Sequence, residues 1–385
     1  MLIQNLLNKK TLSLIILLFI NIVFSYKYLK RVVDFPIIIS FALTIIYFVI
    51  LTYPPKILYK FKVEIKYLNV LVLLSFTLIS IYTFSKIQVE TLGVDRWSVI
   101  TNFWNTFFRG EYAYLSTSNV GNPPGPMPFY FIIALPFYLL GELGFMSLTG
   151  LFAFYLLLVY KKVGQLKIFS SLIFICLSTF YLWEVVSRSN ILLNSTLILF
   201  SIIFFENFRK FNFSKIIVSA LIVGFLLSTR NVFAIAYIIY FMYLLRSKKI
   251  KFLNLVALTT FAIIVFLLTF FPFVYNHFDE FFIMNPFIVQ STFLIPFGYT
   301  IIFLIIAFLS SFFVKSFQNS IFYIGINLFI SILIYSIYLI LNRGFEAAYE
   351  GSVIDISYYI FCIPFLLYTI LETSEKDKKV KLDTT

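Results

Sequence analysis

One histidine, His277, and two cysteines, Cys176 and Cys362, are all that 385 residues hold of the commonest catalytic and metal-binding side chains. A lone imidazole removes most histidine-dependent chemistry, multi-histidine zinc sites and serine triads included. Both cysteines sit inside apolar runs, where a thiol behaves as a small hydrophobe rather than as a disulfide partner or metal ligand. Charge is scarce as well, at 12% of residues, so no water-soluble surface can be built. Between Thr11 and Leu371 no polar stretch is long enough to fold independently.

What the chain does have is hydrophobic bulk: 61% apolar residues and a mean hydropathy of +0.97. These values predict an all-α membrane protein with one polytopic domain over residues 1–371 and a charged cytoplasmic tail over 372–385. The net charge of +13 would suit nucleic acid in a soluble protein, but here Lys and Arg first report topology, and no nucleic-acid partner is expected. Thr11–Ser25 follows Lys9 and Lys10 like a signal sequence, yet no small-residue cleavage site comes after it, so it reads as an uncleaved first helix. Abundant Ile, Phe, Lys and Asn with little Ala suggest an AT-rich genome and a bacterial plasma membrane.

Apolar segments suited to spanning lie near 11–25, 36–53, 67–85, 144–160, 168–186, 191–205, 216–229, 232–245, 252–272, 299–314, 320–341 and 356–371, about 12 helices in all. Pro128–Gly141 is also apolar, but it is short and contains Pro136. Counting it as a span would turn every later basic cluster outward, against the positive-inside tendency. Placed instead on the outer face as an interfacial or juxtamembrane segment, it leaves 21 of 30 Lys/Arg inside and 11 of 17 Asp/Glu outside. Lys27, Lys30 and Arg31 remain outside against the rule, which makes the first hairpin the least secure element.

No predicted span carries a charge near its centre, which disfavours ion-coupled transporters and voltage sensors. The charges away from the cytosol gather at outer helix ends and in a long loop, part of an outer region spanning 86–143. That loop mixes aromatics with charges, so it should fold onto the membrane face. Within it, Val94–Phe108 sets Trp97, Ile100, Trp104 and Phe107 at helical spacing, predicting an amphipathic interfacial helix with Asp95 at its N-terminal end. Taken alone, Asp95 is most simply a carboxylate satisfying free helix amides. His277-Phe278-Asp279-Glu280 is read as a solvated outer loop, since consecutive side chains cannot easily converge on one metal ion. The sequons at Asn194 and Asn212 fall in a span and in a cytoplasmic loop.

Asp95-Arg96 and the aromatic helix lead through Gly110-Glu111-Tyr112 and Asn122-Pro123-Pro124 into Phe129-Tyr130. This order resembles the first outer loop of the C-type (GT-C) membrane glycosyltransferases that use polyprenyl-phosphate sugars. Leu177–Phe180 through Ser187–Asn190 is similar to the family's second outer turn, and Leu226–Arg230 to a later one, so the resemblance covers roughly residues 90–245. Asn122 stands where the family often has a basic residue, histidine or tyrosine before Pro-Pro. Asn190 stands where an acid is common.

The resemblance implies a GT-C-like fold and an inverting transfer of a hexose or pentose from a polyprenyl-phosphate donor to a lipid-linked or cell-envelope acceptor on the extracytoplasmic face. Asp95 is then the general base, with Glu111 its rival. Arg188 and Arg230, with Arg343 third, are candidates for the lipid phosphate, because guanidinium forms charge-assisted bidentate bonds to such anions. Arg96, Asn122 and Tyr112 are further substrate contacts. Each arginine also has a plain role as a headgroup anchor. No cofactor is expected, although some relatives hold a divalent cation such as Mg2+ or Mn2+ near the first-loop acid. The alternative, from another class, is a transporter or flippase of lipid-linked saccharides, which should expose a central polar cavity.

Overall fold

In hydrocarbon, backbone N–H and C=O groups must be satisfied within the chain, so apolar runs of this composition become helices. The computed structural model describes residues 8–53, 55, 64–208, 210–290, 295–351 and 353–372, and all of its regular structure is helical. The tail over 373–385, the basic residues Lys56, Lys60 and Lys62, and Arg209 lie outside the described residues.

In chain order the helices used below are α1 (Lys9–Leu29), α2 (Pro36–Thr52), α3 (Ile65–Lys86), α4 (Arg96–Phe108), α5 (Pro128–Leu139) and α6 (Phe145–Tyr160). They continue with α7 (Gln165–Leu177), α8 (Thr179–Val186), α9 (Ile191–Glu206), α10 (Phe213–Leu227), α11 (Ala234–Arg246) and α12 (Phe252–Leu268). The last are α13 (Phe297–Ser311), α14 (Phe317–Arg343) and α15 (Ile363–Leu371), the final one preceded by a 3-10 turn over Ile356–Cys362. Among the described residues, four stretches are each long and apolar enough to cross a bilayer: Lys9–Leu29, Ile65–Lys86, Phe252–Val274 and Phe317–Arg343. The protein is therefore a membrane protein. The expected span over 168–186 is instead two helices, α7 and α8, meeting at a 60° bend. Ser178 lies at that bend, and beside it the Thr179 hydroxyl is 2.7 Å from that of Ser25 on α1.

Glycine sets the closest helix approaches. A Cβ on Gly224 of α10 would lie 2.6 Å from the Ala262 carbonyl of α12, and one on Gly150 would lie 2.7 Å from the Leu193 nitrogen. Small residues at such crossings let backbones meet where no hydrophobic effect drives helices together. Ile37, Ile38, Phe41 and Ile45 on α2 are exposed, as side chains facing lipid should be.

Polar contacts sort the helix ends into two groups. At one end Lys30 pairs with Glu350, the Lys27 ammonium donates to the Ile354 carbonyl (3.3 Å), and Arg96 reaches Ser189 and Asp355. At the other end Lys9 meets Asn319, Asn69 meets Gln165 (2.8 Å), Lys249 meets Glu206, and Gln318 meets Glu372 (3.3 Å). The first hairpin thus brings Lys27 and Lys30 to specific acceptors in the 346–355 segment. Helix α5 belongs to the first group: its Tyr130 amide donates to the Ser228 carbonyl (3.2 Å) and its Tyr138 hydroxyl to Asn105 of α4 (2.6 Å). Twelve residues of helix reach about 18 Å, well short of a hydrocarbon core of about 30 Å.

Candidate functional site

The loop ahead of α4 turns at Gly93, whose φ of +61° suits glycine, and Asp95 then occupies the N-cap position. Its carboxylate makes no capping bond to the helix amides. Instead Asp95 Oδ2 accepts a 2.6 Å bond from the Asn122 side-chain amide. The simplest reading of this residue, a helix cap, is therefore not what it does. The Ser98 hydroxyl donates to Asn119 Oδ1 at 2.7 Å, tying the 116–122 turn to the first turn of α4.

Aromatic packing fixes this assembly. Phe103 of α4 stacks on Phe131 of α5 with centroids 3.6 Å apart and planes within 5°, and Trp104 Nε1 donates to the Phe131 carbonyl. Phe103 also meets Tyr114 and Phe273 edge-on. Such pairs contribute about 0.5–1.5 kcal/mol each beyond burial, so several together hold the long loop as one body.

Arg96, the next residue, points the other way. Its guanidinium pairs with Asp355 and donates to Ser189 (2.8 Å), with the side chain 15% exposed. Burial disfavours the Asp355 carboxylate, but Arg96 and the Ser357 amide outweigh it and hold the carboxyl below the usual range. The pair clamps the start of α4 to the segment before the 356–362 turn.

Arg230 is different. Its guanidinium lies 5.2 Å from the centroid of Tyr130 and 5.9 Å from that of Tyr358, and its buried Nε has no hydrogen-bond partner. No carboxylate pairs with it among the described residues. The Tyr358 hydroxyl lies within electrostatic range of Asp355, Arg230, Arg96 and Asp95 together, so these groups share one neighbourhood. Main-chain bonds from Met127 to the Thr229 carbonyl and from Tyr130 to that of Ser228 seat α5 beside Arg230.

Next to Arg230 in the chain, Asn231 lines, with Tyr237 and Thr259, an otherwise apolar groove of about 520 Å3 between α10, α11, α12 and α13. Leu227, Ala234, Phe241, Leu258 and Ala262 line it. An apolar groove with an amide in its lining suits an amphiphile, and the residue that precedes this amide in the chain is the cation Arg230.

The other expected residues fall elsewhere. Arg188, 4% exposed, sits at a left-handed position (φ +53°) and is pinned by Glu142 (3.2 Å) and by the carbonyls of Phe84, Ile87 and Val186. Glu111 lies at the far end of α4 from Asp95, in an exposed ion pair with Arg109 (3.0 Å). Tyr112 is buried there, its hydroxyl bonded to the Met284 carbonyl (2.9 Å). Arg343 is exposed at the end of α14. Asn122 remains at Asp95.

Tyr130, Tyr358 and Asp355 were not singled out from sequence. Tyr130 follows the Pro-Pro motif that carries the family resemblance, which is a usable signal, whereas Tyr358 is hidden in an apolar run. Glu184 is fully buried, with Oε1 accepting from the Leu192 amide (2.8 Å) and Oε2 without a partner. Among the described residues no three His, Cys, Asp or Glu side chains converge as a ligand set for a metal ion.

Comparison with protein-family models, with curated proteins and with solved structures finds no match for this chain.

Proposed function

We propose that this chain is a membrane glycosyltransferase that moves a sugar from a polyprenyl-phosphate donor to an acceptor hydroxyl at the extracytoplasmic face, through a GT-C-like arrangement of about 12 spans. The observation that carries the reading is Arg230: an unpaired guanidinium held between two tyrosine rings, in one neighbourhood with Asp95 and one residue before Asn231, which lines an apolar groove. A polyprenyl tail fits the groove, and its phosphate meets the cation.

In this reaction the acceptor hydroxyl loses its proton to the Asp95 carboxylate as its oxygen attacks the anomeric carbon. The bond from that carbon to the phosphate oxygen breaks, the anomeric configuration inverts, and polyprenyl phosphate leaves. The leaving group is already a good anion, so it needs a cation more than a proton, and Arg230 supplies it. Asn122 orients the Asp95 carboxylate through their 2.6 Å bond. Arg96 and Arg188, both engaged with protein partners, hold the site's frame.

The grouping of Asp95, Arg96, Asp355 and Arg230 in one neighbourhood supports an enzyme with a single-face site over a transporter with a central polar passage. In this topology α5 lies on the outer face with the rest of the site. Turnover of polyprenyl-phosphate sugars by the purified Asp95→Asn chain tests the proposal: wild-type turnover by a folded variant removes Asp95 as base.

A further inference from the structure

A second cavity, of about 760 Å3, opens along the second half of α4, where its lining residues Asn102 and Asn105 lie about 10 and 15 Å along the helix from Asp95. Its volume lies in the range of about 300–1,000 Å3 usual for small-ligand clefts. Its walls belong to α4, the 109–117 turn and the segment after α12, with Asn102, Asn105, Thr117, Tyr112, His277 and Glu280 facing it.

The chemistry of this lining is distinctive in what is already spoken for. Glu111 takes two bonds from Arg109 (3.2 and 3.0 Å), so that pair cancels. Glu280 faces His277 Nδ1 at 3.4 Å. Arg109, the one Lys or Arg in the lining, is matched by Glu111, so the cavity has no surplus cation for a phosphate or carboxylate ligand. Nor does it offer the apolar walls that hold a lipid tail.

What remains free are amide and hydroxyl groups. Asn102 gives its side-chain N–H to the Thr117 carbonyl (2.8 Å), leaving its oxygen as an acceptor. Asn105 accepts from Tyr138 (2.6 Å), leaving its own N–H groups as donors. The His277 ring, its side chain 23% exposed, forms part of the wall and is backed by Tyr112 with centroids 5.7 Å apart. Tyr112 is 2% exposed and anchored to Met284, so the ring stays in place. Fixed amide donors and acceptors around an immobile ring suit a neutral ligand whose hydroxyls both donate and accept and whose faces are apolar.

We infer that this cavity binds a neutral oligosaccharide and grips the distal sugars of an extended acceptor whose terminal hydroxyl reaches Asp95. The acceptor role rests on the glycosyl-transfer reading, whereas glycan binding does not. Asp95 stands at the start of α4 and the cavity along its second half, and the helix is packed along its length, so the distance between them is fixed.

The test uses the full chain in detergent, applied to an array of neutral and anionic oligosaccharides, alongside Asn102→Leu and His277→Leu chains. The inference predicts retention of a neutral oligosaccharide by the wild-type chain, with binding at least about tenfold weaker in each variant. Thermal melting checks that both variants are folded; if one is not, Asn105→Leu replaces it. Retention of anionic glycans alone, of none, or of the same glycans equally by the variants overturns the site. If neutral glycans bind but Asp95→Asn keeps full turnover of the lipid-linked donor, the transfer reading fails and the cavity stands.

Discussion

Arg230→Gln separates a ligand-binding role from a structural one, because the opposing stability terms nearly cancel. The substitution removes two ring contacts at 5.2 and 5.9 Å, each about 0.5–1 kcal/mol when partly solvated. It also removes a buried Nε without a partner, a burden of about 1–3 kcal/mol. No ion pair is lost, since none is formed among the described residues. The folded chain should therefore melt within a few degrees of wild type. Loss of a charge-assisted contact to phosphate costs about 1.5–3 kcal/mol, which is roughly a 10- to 150-fold weaker affinity. Titration with polyprenyl phosphate in detergent, read by the change in tryptophan emission, measures this directly. Arg230→Lys keeps the charge without the bidentate fork and should fall between the two. Unchanged affinity in a folded Arg230→Gln chain would refute the reasoning.

Three further outcomes follow from the same geometry. Asp95→Asn should lower turnover about 10²–10⁴-fold with little effect on melting, because the carboxylate caps no helix amide; this is checked by initial rates at saturating donor. The Asp355 carboxyl is held low in the folded chain, so its contribution to stability is present above its unfolded pKa of about 4 and is lost as pH falls through and below that value. Asp355→Asn should remove that acid dependence and cost about 1–3 kcal/mol, discounted for the partial exposure of the pair, as read from melting curves between pH 3 and 7 in steps of roughly one unit. Gly224→Ala should lower the melting temperature, since its Cβ would meet the rigid Ala262 carbonyl at 2.6 Å, while Gly298→Ala, with open space at its Cβ, should not.

How much of this was legible in the sequence depends on the range of each interaction. The apolar runs specified helices because backbone bonding in lipid is local. The spacing of Trp97, Ile100, Trp104 and Phe107 gave α4 to within two residues of its start. The brevity of Pro128–Gly141 anticipated a short helix, observed as Pro128–Leu139. The bend at Ser178 was hidden because the run through it is uniformly apolar. The partners of the arginines were hidden for another reason: Arg96 meets Asp355 across 259 positions, and Arg188 meets Glu142 and carbonyls that no pattern marks. The candidate arginines Arg96, Arg188, Arg230 and Arg343 looked alike in sequence. Only folding showed that Arg96 and Arg188 are occupied, while Arg230 has two tyrosine rings and, among the described residues, no acid.

The central claim is sugar transfer, and the most direct measurement compares lipid extracts by mass spectrometry from cells lacking this chain and supplied with the wild-type or Asp95→Asn form. The account predicts that only the wild-type chain adds one sugar residue to a glycan acceptor while the polyprenyl-phosphate donor is consumed. Identical extracts from the two forms, with saccharide lipids only redistributed between leaflets, would contradict it.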